Sequence, residues 1–202
     1  VAGPQALAFL EAVLANCAAR LAPGEAQYSY LLQPDGAALD DLYVYRLARE
    51  HFMVVVNAAN AERDMAWLHA ANAGEAALDQ DAPEKRLPGP VTIRDLRDAG
   101  ADSRIDLALQ GPLSIELLAE LVDGEARELA DAGGGAVSPE AQRARLRASS
   151  LNDVFHLNLR GIPVLAARTG YTGEEIGFEL FVHPDRGGEL WDLILKQGAA
   201  RG

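Results

Sequence analysis

Four side chains of this sequence stand where aliphatic residues would be cheaper. Asp40 and Asp41 interrupt the strand-like run Ala38 to Leu47, within the stretch LDDLYVYRLAREHFMVVVNAAN of residues 39–60. Asn57 closes the apolar run Phe52 to Val56, and Glu179 lies between Phe178 and Leu180. Side chains alternate across a strand, so Asp41 shares a face with Leu39, Tyr43 and Tyr45. Asn57 likewise shares one with Met53 and Val55. A carboxylate taken from water without a partner costs several kcal/mol or takes up a proton. Asp41 is therefore either a wet edge residue or a polar group facing a pocket, and the residues alone leave both open. The turn Pro34-Asp35-Gly36 folds an earlier strand, Gln27 to Gln33, back onto this one. That brings Tyr28 near Asp41 or Leu42, as a hydrogen-bond partner, a ligand wall or an amphipathic core residue.

The elements that must position these groups follow from periodicity. Ala6, Leu7, Leu10, Val13, Leu14, Cys17 and Leu21 recur at helical spacing, so a helix is expected from Pro4 to Leu21 with Cys17 packed on its apolar stripe. Asn60 is expected to cap a helix reaching Ala71, with Met65 and Leu68 facing inward. Residues 73–90 are polar and rich in Pro and Gly, which suits a boundary between lobe 1–88 and lobe 89–202. Short strands follow at Val91–Leu96 and Ile105–Gln110. A helix begins at Pro112 and runs to Leu121, and another, capped by Ser138 and Pro139, runs to Ala148. Strands Val154–Leu159, Ile162–Arg168 and Phe178–Val182 precede a last helix, Gly188–Lys196. Hairpin-like strand pairs outnumber crossovers, so the fold class is α+β: mainly antiparallel sheets with helices packed on one face.

Composition narrows the function. A net charge of −12, with dispersed basic residues, argues against a nucleic-acid surface. Arg143, Arg145 and Arg147 read as a solvated helix face. No apolar run is long enough to span a membrane. One cysteine permits no internal disulfide, which fits a cytoplasmic protein. The histidines at 51, 69, 156 and 183 lack metal-ligand spacing, so no metal is expected. The turn Gln110-Gly111-Pro112 has too few glycines and no lysine for a phosphate loop, so it is read as a packing turn.

The segment RTGYTGEEIGFEL, residues 168–180, carries three glycines in a tight loop between two strands. It resembles the signature of the glycine cleavage system T protein family, the aminomethyltransferases. YSYLLQPDGAALDDLYVY, VVVNAANAERDMAWL and IDLALQGP resemble that family's other motifs, in the same order. The resemblance implies a ferredoxin-like lobe in the front half and a tetrahydrofolate site. It implies that Asp41 is the key carboxylate, and that Tyr28, Val55, Asn57, Tyr171 and Glu179 contact folate. The implied reaction takes an aminomethyl group from the lipoyl arm of a partner H protein, with ammonia released. Gly36-Ala37 departs from the family's glycine pair, and the signature loop is one residue longer than usual. The resemblance also implies a longer protein with a further C-terminal portion, so that this piece alone is expected to have little or no activity. Related folate-binding demethylases, sarcosine and dimethylglycine dehydrogenases, and folate-binding proteins without turnover are the alternatives.

Overall fold

The computed structural model describes residues 1–202 except 88, 130–133, 171–172, 200 and 202. It divides into two compact units, Val1–Arg94 and Asp95–Gly202. Both are α+β, built on antiparallel sheets.

In the first unit, strands β1 (Glu25–Leu32), β2 (Ala38–Ala48) and β3 (His51–Val56) form a meander in the order β1-β2-β3. Helices α1 (Ala6–Val13) and α2 (Ala61–Ala73) supply Phe9, Leu10, Val13, Leu68 and Ala71 to a core completed by Leu31, Leu42, Val44 and Phe52. One face of the sheet is thus covered by helices. The other carries Tyr28, Tyr30, Asp41, Tyr43 and Val55, because Tyr28 pairs with Tyr43, Tyr30 with Asp41, and Tyr43 with Val55. Gly74, in the left-handed region at φ 72°, ends α2.

Three expectations need correcting here. The first helix stops at Val13 rather than Leu21, because the next residues add to the edge of β1. Leu14 bridges Leu31, Ala15 N–H donates to Tyr30 O, and Asn16 bonds Tyr28 O and Ser29 Oγ. Cys17 therefore leaves the apolar stripe and is exposed. No strand forms over 91–96. Both backbone groups of Val91 are taken by the Asn72 side chain, at 2.8 and 2.9 Å, and only Thr92 makes a bridge, to Ala2.

In the second unit, β4 (Ile105–Gln110), β7 (Val154–Leu159), β8 (Ile162–Ala167) and β9 (Gly177–Val182) form an antiparallel sheet in the order β4-β9-β8-β7. A small ribbon joins β5 (Ala126–Arg127) and β6 (Ala136–Val137). Helices α3 (Ser114–Leu121), α4 (Pro139–Ala148) and α5 (Pro184–Ala199) cover one sheet face. Phe155, Leu157, Phe178 and Leu180 fill the core between them with Leu118, Leu146 and Leu190. Ser138 caps α4 by accepting from Ala141 N–H, with Pro139 in the first turn. Arg160 and Gly161, both at positive φ, make the two-residue turn between β7 and β8.

Helix α5 begins at Pro184, four residues earlier than expected, and passes through Gly187 and Gly188. A Cβ at Gly187 would lie 2.2 Å from Ile105 Cδ1, so this glycine lets the helix close on β4. The three arginines of α4 are bonded rather than merely solvated. Arg143 donates to Ala119 O and Val122 O, Arg145 pairs with Glu128, and Arg147 pairs with Glu116.

Candidate functional site

Strand alternation separates the two adjacent aspartates. Asp41, half-buried, lies on the tyrosine face, while Asp40, 8% exposed, points under the helices. The Tyr28 hydroxyl donates to Asp41 Oδ2 at 2.9 Å, and Asn57 Nδ2 donates to Asp41 Oδ1 at 2.8 Å. Both carboxylate oxygens are thus tethered from different strands: Tyr28 from β1, and Asn57 from the end of β3. Hydrogen bonds to Tyr30 and Asp41 raise the Tyr28 phenol above its ordinary range, so it remains a donor. Tyr30 and Tyr43 pack edge-on against Tyr28, with ring centroids 5.4 and 5.8 Å away. Tyr28 and Tyr30 stay exposed. Val55, half-buried, extends the apolar surface beside Tyr43.

Asn57 reaches further. Its Nδ2 also lies 3.1 Å from Asp40 Oδ1 and 3.1 Å from Asp41 O, and Asn60 Nδ2 donates to Asp40 Oδ1 at 2.9 Å. Asn60 holds the N-cap position of α2 but makes no side-chain capping bond; its amide serves Asp40 instead. Asp64, on α2, is 0% exposed and completes the group. Periodicity had pointed to Met65 and Leu68 as the inward residues of α2. Leu68 is buried and Met65 half-buried, but the fully buried acid beside them was missed. The signal was available, since Asp64 stands four residues before Leu68 on the same helical face. Burial works against ionisation of Asp40, yet hydrogen bonds from Asp64, Asn57, Asn60 and the Asp41 backbone hold its carboxyl below the ordinary range. Burial first, then the hydrogen bond and charge of Asp40, push Asp64 up to about 6.

The second unit holds a comparable group. Glu179, 4% exposed in β9, accepts a hydrogen bond from Thr169 Oγ1. Glu179 is registered opposite Ala108, so Asp106, two residues along β4, is its diagonal neighbour. The Asp106 residue is exposed on its strand, but its carboxyl meets Glu179. Loss of water, then the charge and hydrogen bond of Glu179, push Asp106 up to about 7. Asp106 fits the ordinary alternation of Ile105–Gln110, so no break in periodicity marks it. Tyr171 lies outside the described residues.

Two of the motifs meet beside Glu179. Gly111 N–H donates to Ile176 O at 2.8 Å, and the Gln110 amide lies where a Cβ of Gly177 would be, 2.1 Å from Oε1. Gln110-Gly111-Pro112 is a packing turn that holds the end of the signature loop. No helix among the described residues is long and apolar enough to cross a membrane.

Known proteins are similar to this chain. The chain is 34% identical over its whole length to the aminomethyltransferase of Oceanobacillus iheyensis, covering 45% of that protein. It is 37% identical to that of Thermus thermophilus, over 98% of the chain and 46% of the relative. The crystal structure of the glycine cleavage system aminomethyltransferase T from Bartonella henselae matches with a TM-score of 0.63 and 28% identity. That match covers 96% of this chain and 41% of that one. The chain thus spans somewhat under half the length of the curated relatives it matches. The family model described as the GCVT N-terminal domain matches residues 1–202. With its strand-borne acids, joined motifs and full-length match, the chain belongs to the GCVT N-terminal domain family.

Proposed function

We propose that this chain supplies the tetrahydrofolate-handling part of an aminomethyltransferase. In that reaction a one-carbon unit passes from the aminomethyl-lipoyl arm of an H protein to tetrahydrofolate, and ammonia is released. The observation that carries the reading is the Asp41 carboxylate, fixed by Tyr28 and Asn57 on an open face walled by tyrosines. A carboxylate so tethered keeps lone pairs for the N–H donors of a heterocycle, and the aromatic rings offer a surface on which a planar ligand can stack. The residues present therefore suit a pterin. Folate, when bound, would bring a nucleophilic ring nitrogen; Asp41 would orient the ring and hold or release a proton beside it. Asn57 would keep Asp41 aimed, and Val55 would contribute apolar wall. In the second unit Glu179, its Oε2 held by Thr169, is a buried carboxylate acceptor that the family resemblance assigns to folate contact.

Isothermal titration of the 202-residue chain with 5-formyltetrahydrofolate tests this. Asp41→Asn and Glu179→Ala should each weaken binding by about tenfold, the scale of one lost hydrogen bond to a charged group. Affinity unchanged in both variants overturns the assignment.

A further inference from the structure

The tyrosine face of the first unit is not uniform along its strands. Its residues line up in ranks across the sheet: Ala26, Tyr45 and Met53 are register partners, as are Tyr28, Tyr43 and Val55. The third rank pairs Tyr30 with Asp41. Asn57, just past the end of β3, joins it by donating to Asp41 Oδ1. Exposure rises from rank to rank. Ala26, Tyr45 and Met53 are buried. Tyr43 and Val55 are half-buried beside an exposed Tyr28, and in the third rank Tyr30, at 45%, and Asn57 are exposed. The face is closed at the first rank and open at the third.

Backbone hydrogen bonding brings the third rank close together. The carbonyls of Tyr28 and Tyr30 face the outer edge of β1, where Asn16 Nδ2 donates to Tyr28 O at 3.1 Å and Ala15 N–H donates to Tyr30 O at 3.0 Å. Neither carbonyl points at β2, so Tyr28–Tyr43 and Tyr30–Asp41 are non-hydrogen-bonded pairs, the kind whose side chains approach more closely. Tyr28 leans out of its own rank. Its hydroxyl reaches Asp41 Oδ2 at 2.9 Å, and its ring meets the Tyr30 ring edge-on, at 79° and 5.4 Å. Tyr30 keeps its exposure despite that contact, and it stands directly across from the tethered carboxylate.

We propose that Tyr30 is a further ligand-contact residue, which selects ligands whose planar heterocycle carries an aromatic substituent. The proposal rests on the folate reading, in which the heterocycle lies on the second rank with its N–H edge at Asp41. A substituent finds no open surface toward the first rank, where Ala26, Tyr45 and Met53 are buried. It leaves across the third rank, and the aromatic ring standing there beside Asp41 is that of Tyr30. Two rings meeting there can adopt the edge-to-face or offset geometry that aromatic pairs prefer. An aliphatic side chain would offer area without that geometry. The family resemblance assigns Tyr28 of this strand to folate contact, but not Tyr30.

The test titrates two ligands into the 202-residue chain: 5-formyltetrahydrofolate, and 6-methyltetrahydropterin, which lacks the aromatic substituent. Amide NMR reads both, since it follows weak as well as tight binding. Wild type, Tyr30→Phe, Tyr30→Leu and Asp41→Asn are compared. Tyr30→Leu should weaken 5-formyltetrahydrofolate by about three- to tenfold and change 6-methyltetrahydropterin by less than about twofold. Tyr30→Phe, which keeps the ring, should bind both within about twofold of wild type. Asp41→Asn should weaken both ligands, by about tenfold. The quantity read is the ratio of two affinities in one protein, which a partly unfolded variant leaves unchanged. A Tyr30→Leu ratio equal to that of wild type overturns the proposal, whether neither affinity moves or both fall together. If Asp41→Asn then still weakens both ligands, the folate reading stands without Tyr30. A shifted ratio with Asp41→Asn silent would uphold the Tyr30 contact and refute the role of Asp41. Wild type that binds neither ligand refutes the folate reading, and the Tyr30 contact falls with it.

Discussion

At the scale of single residues, two adjacent aspartates are sent to different work by strand alternation. Asp41 takes its tethers from Tyr28 and Asn57, while Asp40 is drawn under the helices to Asp64. The Tyr28 hydroxyl is the tether that a single substitution removes most cleanly. Tyr28→Phe keeps the ring contacts with Tyr30 and Tyr43 but frees Asp41 Oδ2. Stability should barely change, since the group is exposed and water replaces the bond. Affinity for 5-formyltetrahydrofolate should fall by about three- to tenfold. Equal affinity in the two proteins would mean that Tyr28 does not help to aim Asp41.

At the scale of elements, Gln110 links the ALQGP turn to the signature loop. Its amide fills the space over Gly177 and approaches the Cβ direction of Gly170 at 3.1 Å. Gly177→Ala must expel that amide, because the added methyl would sit 2.1 Å from Gln110 Oε1. We expect a loss of about 1–3 kcal/mol, typical of overpacking. In a Gln110→Ala background the same substitution should cost much less, and a double-mutant cycle in urea reads the difference. Additive effects would place the strain elsewhere. The element scale also explains why helix α1 is short. Periodicity continues to Leu21, but hydrogen bonding to the edge of β1 claims residues 14–16 first.

Across the whole molecule, each unit carries, among the described residues, one acid raised by burial: Asp64 to about 6 and Asp106 to about 7, from an ordinary 3.8. A raised acid binds its proton more tightly folded than unfolded. Its contribution is full below 3.8 and is lost as pH climbs through the folded value. Asp40, Asp95, Glu116, Glu140 and Glu189 are lowered and act in the opposite sense, losing stability as pH falls through the acid range. Comparison with a variant isolates the acids from these other groups. Wild type should lose stability between about pH 4 and pH 7 relative to Asp64→Asn/Asp106→Asn, with Asp64 contributing roughly 2–3 kcal/mol. The Asp106 share is smaller, since solvent screens an exposed residue. Urea denaturation at the two pH values measures it, and parallel curves would show that neither acid is raised.

The sequence alone determined the α+β class, most strand positions, the Arg160-Gly161 turn, the Ser138 cap and the family motifs. Each of these is written in local periodicity or turn chemistry, which neighbours in the chain enforce. It also placed Asp41 with Tyr43 and Asn57 with Val55, because a two-residue period allows no other faces. What only the tertiary structure decided is which groups meet across elements. Asp64 looked like one more polar residue of α2 until the helix laid it on Asp40, and Asp106 looked like a surface acid until β4 and β9 set it diagonal to Glu179. Cys17 left its predicted stripe because a strand edge offered residues 14–16 better hydrogen bonds than another helical turn. Proton sharing between distant acids depends on packing and burial, and neither is a property of spacing along the chain.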